Sequence, residues 1–574
     1  MQPFLQLLEK ENELVHIHEQ VDPTYEIAEI HRRVVAQKGK ALLFHNVASS
    51  RFPVATNLFG SEKRIELAFG RAPEKCIQDI ISLITAPLPP KMSALWRMRH
   101  TLQRLLRLGT KQVRHAPVMQ CSIDPVNLHE LPLLKLWPED GGHFITLPLV
   151  YTESPDRRSQ NLGMYRIQRF DNTTTGLHFQ IAKGGGFHYV QAENQGLDLP
   201  VTLFVGGPAA LILSAIAPLP ENVPELLFAS FVQGKKLTTA QSPGHPHPIL
   251  AECDFALLGH SKPNERRPEG PFGDHFGYYS LTHDFPVFHC KKIYHRKDAV
   301  WPATVVGKPV QEDLYIGNYL QKLFSPLFPV LMPQVKELHT FGETGFHPLA
   351  AARVRERYEK EAWAAAFRIL GEGQLSLTKC LMITDADIQL SDANALLEAV
   401  LSRLCPKTGL MIVPNTSNDT LDYTGPKLNK GSKMIVVATG EPKRALPGSF
   451  HASLPRGCRH AAAFCKGCLV LEGDVDIDTI LAHVDFADWP LLILVDNAAK
   501  TSSNALEFLW TVFTRFEPAR DIHCSHKSIA RNSVSFSLPI LIDARMKPWY
   551  PKEVEANEET IQLVDRKWPH YFPQ

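Results

Sequence analysis

The segment PEGPFGDHFGYY, residues 268–279, sets Glu269, Asp274 and His275 among three glycines and two prolines. Carboxyl and imidazole groups hold and move protons when their surroundings bring them into range. The prolines and glycines argue against a regular helix or strand and predict a constrained, irregular backbone. Residue types alone leave two readings open: a tight surface connection with incidental acids, or a frame that holds acids over a substrate.

Three upstream stretches carry chemistry of their own. In NLGMYR, residues 161–166, strand alternation places Met164 and Arg166 on one face and Tyr165 on the other, with Asn161 ahead of the strand. Arg166 stays charged at any accessible pH and needs an anionic partner among apolar neighbours. Spacing does not choose between a structural Arg–carboxylate pair and a ligand site. In LHFQIAKGGGFH, residues 177–188, glycines after a strand let backbone amides approach an anion, and Lys183 adds charge. The lysine precedes the glycines and no Ser or Thr follows, so this is not a P-loop. A hairpin with a flexible tip is the ordinary reading, and His178 and His188 read equally well as satisfied polar residues. In AIAPLPENVPEL, residues 215–226, Glu221 and Glu225 stand where early-turn carboxylates favour a helix N-terminus.

The elements that must position these residues follow from periodicity. Residues 1–115 mix helical patterns (24–37) with short strands (40–45) and predict a small α/β domain. Within it, residues 96–111 are basic, with apolar positions at helical spacing. They predict a solvated helix lying against another subunit or domain rather than an RNA-binding element. Residues 116–310 hold short β-rich runs separated by Gly, Pro, Asn and Asp clusters, which predict a small antiparallel barrel or sandwich. Its most apolar part, residues 199–220, is broken by Gly206-Gly207-Pro208 and predicts a buried strand, turn and helix rather than a membrane span. Residues 311–345 read as a linker into a C-terminal α/β domain, residues 346–574. Here the sequence predicts a long Ala-rich helix over 347–370, a strand over 380–385, a helix over 392–404 capped by Ser391, and a strand over 409–414 in a parallel layer. From Leu491 the same order of strand, Asp, polar loop, Ser/Asn cap, amphipathic helix and Pro returns, predicting a repeated α/β unit.

A chain of 574 residues with 44% hydrophobic and 21% charged residues can bury several cores. Its 61 Lys and Arg against 60 Asp and Glu argue against a general binder of nucleic acid or anionic membrane, while local patches remain open. The N-terminus shows no cationic leader with an apolar core, and ten cysteines are thinly scattered. A soluble, cytoplasmic protein with reduced thiols is expected. The Cys465-Lys466-Gly467-Cys468 spacing suits zinc only with a second such pair; it reads better as a turn into a buried strand, LVLEG.

Taken in order, NLGMYRIQ, HFQIAKGGGFHY, AIAPLPENVPE, PEGPFGDHFGYY and TGPKLNKGSKM resemble the UbiD family of reversible decarboxylases, over roughly residues 11–444. The resemblance implies a flavin-reductase-like split β-barrel cofactor domain, residues 116–310, flanked by the two α/β domains, the C-terminal one serving oligomerisation. It implies prenylated FMN made by a flavin prenyltransferase, a manganese or other divalent ion at its phosphate, potassium nearby, and a homodimer or homohexamer. Asn161 and Glu225 align with oxygen ligands of the metal, and His188 with a histidine ligand of some members. Met164, Tyr165, Arg166, His178, Phe179, Gln180, Lys183 and Gly184 align with cofactor contacts, and Lys433 with a lysine reaching the cofactor from the C-terminal domain.

The resemblance also divides the acids of the opening loop. Glu269 aligns with the partner of the arginine, here Arg166, and Asp274 with the proton donor, a position where several members carry the longer Glu. The implied reaction is non-oxidative decarboxylation of an aromatic acid (a hydroxyaryl quinone precursor) or an α,β-unsaturated acid. Asp274 would then need a raised pKa, supplied by burial or by Glu269. Two alternatives are a subunit of a multi-subunit phenolic carboxylase, and a non-catalytic flavin-binding scaffold.

Overall fold

The computed structural model describes residues 1–86, 92–180, 184–219 and 223–572. The chain divides into two compact units, residues 1–323 with 552–574, and residues 324–551.

In the first unit two long antiparallel strands, Phe255–Glu269 and His283–His295, form the spine of a seven-stranded sheet. On one side of them stands Thr174–Gly176; on the other stand Leu199–Val205, Pro148–Glu153 and Gln160–Gly163, while Cys121–Ile123 also pairs with His283–His295. Neighbouring strands are antiparallel. The edge strands Thr174–Gly176 and Gln160–Gly163 do not pair with each other, so among the described residues the ladder stays open. The expected barrel is therefore not found as a hydrogen-bonded closure. Its two edge strands, Gln160–Gly163 and Thr174–Gly176, are short, and each ends at a glycine.

The apolar stretch behaves as its composition predicts: strand Leu199–Val205, a turn with Gly206 and Gly207 at positive φ, then helix Ala209–Ile216. A Cβ at Gly206 would stand 2.3 Å from Asp254 Oδ2, so the turn has room only for glycine. A smaller sheet, Leu14–Ile17, Ala41–Phe44, Val54–Thr56 and Trp301–Pro302, packs into the same core. The chain's last helix, Glu558–Tyr571, returns to this unit and buries Val564 and Tyr571 in that core. The basic segment forms two short helices, Met92–Arg97 and Arg99–Leu105, in place of one long one.

The second unit contains the same sheet twice. The first has the order Val335–Thr340, Leu349–Val354, Cys380–Thr384, Lys430–Ala438, Leu410–Ser417, with antiparallel, parallel, parallel and antiparallel pairings in turn. The second has the order Cys458–Cys465, Cys468–Gly473, Leu491–Val495, Ile540–Asp543, Ile522–Cys524, with the same four pairings. In each, the central strand leads into an eleven-residue helix, Ala393–Arg403 or Ala505–Arg515, followed by a Pro-initiated turn of helix. The repeated pattern in the sequence is thus a repeated fold, and the helices of both copies share one core.

Local expectations change in two places. Residues 347–370 are not one helix. Leu349–Val354 is a buried strand between two partners, and the helix spans only Glu361–Leu370. Alanine favours helix by propensity, but a central strand buried on both faces accepts its small side chain, and packing overrides propensity. The helix Ala393–Arg403 is capped by Asp392, whose carboxylate accepts from the amides of Asn394 and Ala395, rather than by Ser391. The CxxC segment forms the predicted turn: Cys465 and Cys468 face each other across it, and Cys468 opens the buried strand.

Candidate active site

Arg166 lies in the irregular link between strands Gln160–Gly163 and Ile167–Gln168. Strict alternation fails here: Tyr165 and Arg166 are both buried and Met164 is half-buried. Tyr165 folds back over Gly163, where a Cβ would stand 2.4 Å from its ring. Consecutive residues therefore enter different clusters.

Arg166 enters the acidic one. Its Nε and Nη2 donate to Glu269 Oε1 and Oε2 at 2.9 and 3.0 Å, and its Nη1 donates to Asp274 Oδ2 at 2.6 Å. Nη2 also donates to Ser280 Oγ at 2.8 Å, and the guanidinium lies 4.9 Å from the Phe272 ring centroid. A forked donor meeting a carboxylate in two places is the strong form of this contact. Glu269 is fully buried at the end of strand Phe255–Glu269. Burial alone would raise its pKa, but the charge on Arg166 and the hydrogen bond from His178 outweigh it and hold Glu269 at about 2.

His178 Nδ1 lies 3.0 Å from Glu269 Oε2. Burial lowers the pKa of this imidazole, and since a carboxylate can only accept, the proton of this contact is on Nδ1. Its Nε2 is buried without a partner among the described residues.

Asp274 accepts at Oδ1 from the backbone N–H and the ring Nδ1 of His275, at 2.7 and 2.8 Å. Burial pushes this carboxyl up, but His275 and Arg166 pull it further down, well below the usual carboxylate range. The expectation of a raised pKa is overturned here, because Asp274 is paired with a cation rather than set against Glu269. His275 is the more exposed of the two, with 29% of its side chain accessible against 12% for Asp274.

The loop is pinned by backbone contacts. Asp140 accepts from the amides of Gly273, Leu136 and Trp137, and burial raises it to about 7. Gln168 accepts from Gly270 N at 2.7 Å, and Gly277 adopts positive φ. A Cβ at Gly273 would stand 2.1 Å from the Trp137 ring, so the loop passes that ring as closely as a backbone can.

Tyr165 enters the second cluster. Its hydroxyl accepts from Gly185 N at 3.3 Å, and Phe179 meets its ring edge-on at 5.2 Å. Gly184 opens helix Gly184–Asn194 so close to Asn161 that a Cβ would stand 2.3 Å from Oδ1. Asn161 Nδ2 is buried without a partner among the described residues. Glu225 is the first residue of helix Glu225–Gln233; its Oε2 accepts from Leu162 N at 3.0 Å, and burial raises its pKa. Two oxygen-bearing side chains thus stand beside adjoining residues of one strand, and the carboxylate lacks a cation among the described residues. His188 is turned to hydroxyls, with Nδ1 at 2.9 Å from Thr152 Oγ1 and Nε2 at 3.0 Å from Ser159 Oγ. Among the described residues no group of three His, Cys, Asp or Glu is arranged to hold a metal ion.

Gln180 is half-buried; Lys183 and Glu221 lie outside the described residues. Lys433 belongs to the second unit, where its Nζ donates to Thr378 O at 2.8 Å and burial lowers it to about 8. Sequence reasoning missed Ser280, Phe272, Asp140 and Gln168. Of these only Asp140, in the turn-forming stretch PEDGG, had a local signal.

Three sequence models of one family match this chain: the 3-octaprenyl-4-hydroxybenzoate carboxy-lyase N-terminal domain over residues 5–84, the Rift-related domain over 111–309 and the C-terminal domain over 314–438. The chain belongs to the UbiD family and is a carboxy-lyase. A Chlamydia pneumoniae protein, named as a subunit of 4-hydroxybenzoate decarboxylase, is 53% identical over 99% of this chain and 98% of its own length. In fold, the chain is similar to the vanillic acid decarboxylase of Sedimentibacter hydroxybenzoicus (TM-score 0.66, 23% identity, 79% of this chain and 94% of that one). It is also similar to the UbiD-class enzyme HmfF of Pelotomaculum thermopropionicum, solved with FMN (TM-score 0.64, 23% identity, 79% and 97%). The matched C-terminal domain ends at residue 438, so the second copy of the five-stranded sheet lies beyond it.

Proposed function

We propose that this chain is a non-oxidative decarboxylase of an aromatic or α,β-unsaturated carboxylic acid that works with prenylated FMN. The observation that carries the reading is the buried Arg166, forked onto Glu269 and bonded to Asp274 through its remaining nitrogen. Met164, Tyr165, His178, Phe179, Gln180 and Gly184 would contact the cofactor. Asn161 and Glu225 would hold a divalent ion, manganese by resemblance, since both offer hard oxygen donors and Glu225 is a buried carboxylate in want of a cation. Prenylated FMN, when bound, supplies the electron-accepting centre that the substrate carbon needs as carbon dioxide leaves.

The protein's part is binding, orientation and one proton. A substrate carboxylate binds at Arg166 by taking the place of Asp274 at Nη1, while Glu269 keeps the guanidinium in plane. Losing that cation and gaining a carboxylate neighbour reverses the electrostatics at Asp274 and raises its pKa. Asp274 then takes a proton, and His275, bonded to Oδ1 and reaching toward solvent, is the group placed to pass it on. Departure of carbon dioxide leaves the substrate carbon one proton short, and protonated Asp274 delivers it. Arg166 recovers its partner and the resting site returns. The acid is thus charged without substrate and neutral when needed.

The test is coexpression with a flavin prenyltransferase, an ultraviolet–visible spectrum of the purified protein, and carbon dioxide release from hydroxyaryl and α,β-unsaturated acids. A loaded protein that releases none from any acid of the panel overturns the reading. The name of the Chlamydia relative favours a second version, a component of a multi-subunit enzyme. A small protein that co-purifies and is required for turnover would establish it.

A further inference from the structure

The acidic loop is also held from the far end of the chain. Residues 272–280 form a narrow hairpin: Asp274 N donates to Tyr278 O at 3.1 Å, Gly277 N to Asp274 O at 2.9 Å and Ser280 N to Phe272 O at 2.8 Å. Gly273 pairs with Tyr279, so Asp274 and His275 stand at the tip. The outer edge of the return arm is taken by residues 552–554, which belong to the same unit. Val554 N donates to Gly277 O and Tyr279 N to Lys552 O, each at 3.0 Å, with Tyr278 opposite Glu553 in antiparallel pairing. An extended peptide thus adds a third strand to the hairpin that carries Asp274 and Ser280, by the backbone bonding of β-augmentation.

Side chains tie this strap on both flanks. The Lys552 ammonium meets Glu139 Oε1 at 2.7 Å, and Glu139 N donates to the Tyr279 hydroxyl at 3.3 Å. The next residue, Asp140, is the one that accepts from Gly273 N. Beyond the strap, helix Glu558–Tyr571 fixes it to the unit: Asp565 pairs with Arg33 at 2.6 Å and Lys567 with Glu26 at 2.7 Å. Val564 and Tyr571 lie in the core that also holds Phe272 and Tyr279.

A loop with Gly270 and Gly277 at positive φ has many shapes open to it, and ordering it needs restraints from outside. In the resting site Arg166 supplies one, through Asp274. That restraint goes when a substrate carboxylate takes Nη1, at the step where Asp274 must stay within reach of the reacting carbon. We propose that residues 552–554 are a positioning strap, with Lys552 and Val554 as the residues that hold the Asp274 hairpin in its working shape after Arg166 releases it. The role rests on the proposed decarboxylase reading; the pairing itself does not.

Three variants test it. Val554→Pro removes the N–H that Gly277 accepts. Lys552→Glu sets two acids against each other at the surface, and Lys552→Glu/Glu139→Lys restores the pair in reverse. The first measurement, on cofactor-free protein, is amide hydrogen exchange of residues 272–280 by mass spectrometry, with circular dichroism as the check on folding. Exchange there is expected to rise ~10-fold or more in Val554→Pro and less in Lys552→Glu, with the swapped pair back near wild type. The second is turnover by the loaded enzyme. For Val554→Pro kcat is expected to fall ~10-fold or more while KM stays within about two-fold, because Arg166 still binds the carboxylate. For Lys552→Glu a loss of about two- to five-fold is expected, recovered by the swap. Unchanged exchange in the variants overturns the strap. Faster exchange with an unchanged kcat, or a loss confined to KM, overturns its positioning role. Should Val554→Pro fail to fold, the Lys552 variant and its swap decide by the same readings. A loaded wild type that releases no carbon dioxide defeats the decarboxylase reading instead, and the exchange measurement then decides the strap by itself.

Discussion

Glu269 lies 103 residues after Arg166, yet its two oxygens take two nitrogens of the same guanidinium at 2.9 and 3.0 Å. Both side chains are buried, Arg166 6% and Glu269 0% exposed. Removing one partner strands the other, a change that costs about 3–5 kcal/mol. Glu269→Gln and Arg166→Met are each expected to lower thermal stability by that order, and the double variant by less than the sum. Arg166→Lys keeps the charge but cannot make the fork, and is expected to abolish carbon dioxide release. Equal melting temperatures for Glu269→Gln and wild type would show that the pair does not hold this part of the fold.

Asp274→Asn keeps the size of the side chain and its place beside Arg166 but has no proton to give. Turnover by the loaded enzyme is expected to fall ~10²–10⁴-fold, with Asp274→Glu recovering part of it. Cofactor binding, read from the absorbance spectrum, should not change. Turnover of Asp274→Asn near the wild-type rate would remove Asp274 from the proton path.

His275→Ala tests the route to that acid. Slower turnover, restored in part by added imidazole, is expected if His275 passes protons to Asp274. A variant that is slow but indifferent to imidazole would make His275 a positioning residue for the loop.

The pH dependence of stability has a definite sign at Glu269. Its folded-state value, about 2, lies below its ordinary 4.5, because folding favours the charged form. The contribution is complete above pH 4.5 and is lost as pH falls through about 2. Asp140 runs the other way: raised from 3.8 to about 7, it contributes most below 3.8 and least above 7. Chemical denaturation between pH 2 and 5 is expected to show a drop in stability that Glu269→Gln flattens. Between pH 3.8 and about 7 a decline is expected that Asp140→Asn removes.

Gly273→Ala examines the frame rather than the acids. The added Cβ meets Trp137 at 2.1 Å, and that ring is held by its own hydrogen bond to Val306 O. The loop must shift, and Asp274 is the next residue. Loss of turnover is expected to exceed a stability cost of about 1–3 kcal/mol. A fully active Gly273→Ala enzyme would show that the close approach to Trp137 has no bearing on catalysis.

Much of the fold was legible along the chain. The strand, glycine turn and helix over residues 199–216, the Glu225 helix start and the repeated unit beginning at Leu491 are local patterns. What failed did so where tertiary burial outvoted local preference. The alanines of Leu349–Val354 became a central strand, and alternation broke at Tyr165 and Arg166 because a ring folded over Gly163. Ser280, a plain serine between Tyr279 and Leu281, had no signal at all until it met Arg166 from across the unit.

Residue types, their order and their spacing by themselves determined that this chain carries a buried-type arginine, two loop acids and a family resemblance that joins them. They could not determine the charge state of Asp274. Sequence reasoning expected a raised pKa, from burial or from Glu269; the tertiary structure set it against Arg166 and His275 and lowered it. The reason is distance: a pKa answers to the charges within a few ångströms, and only folding decides which of 574 residues those are.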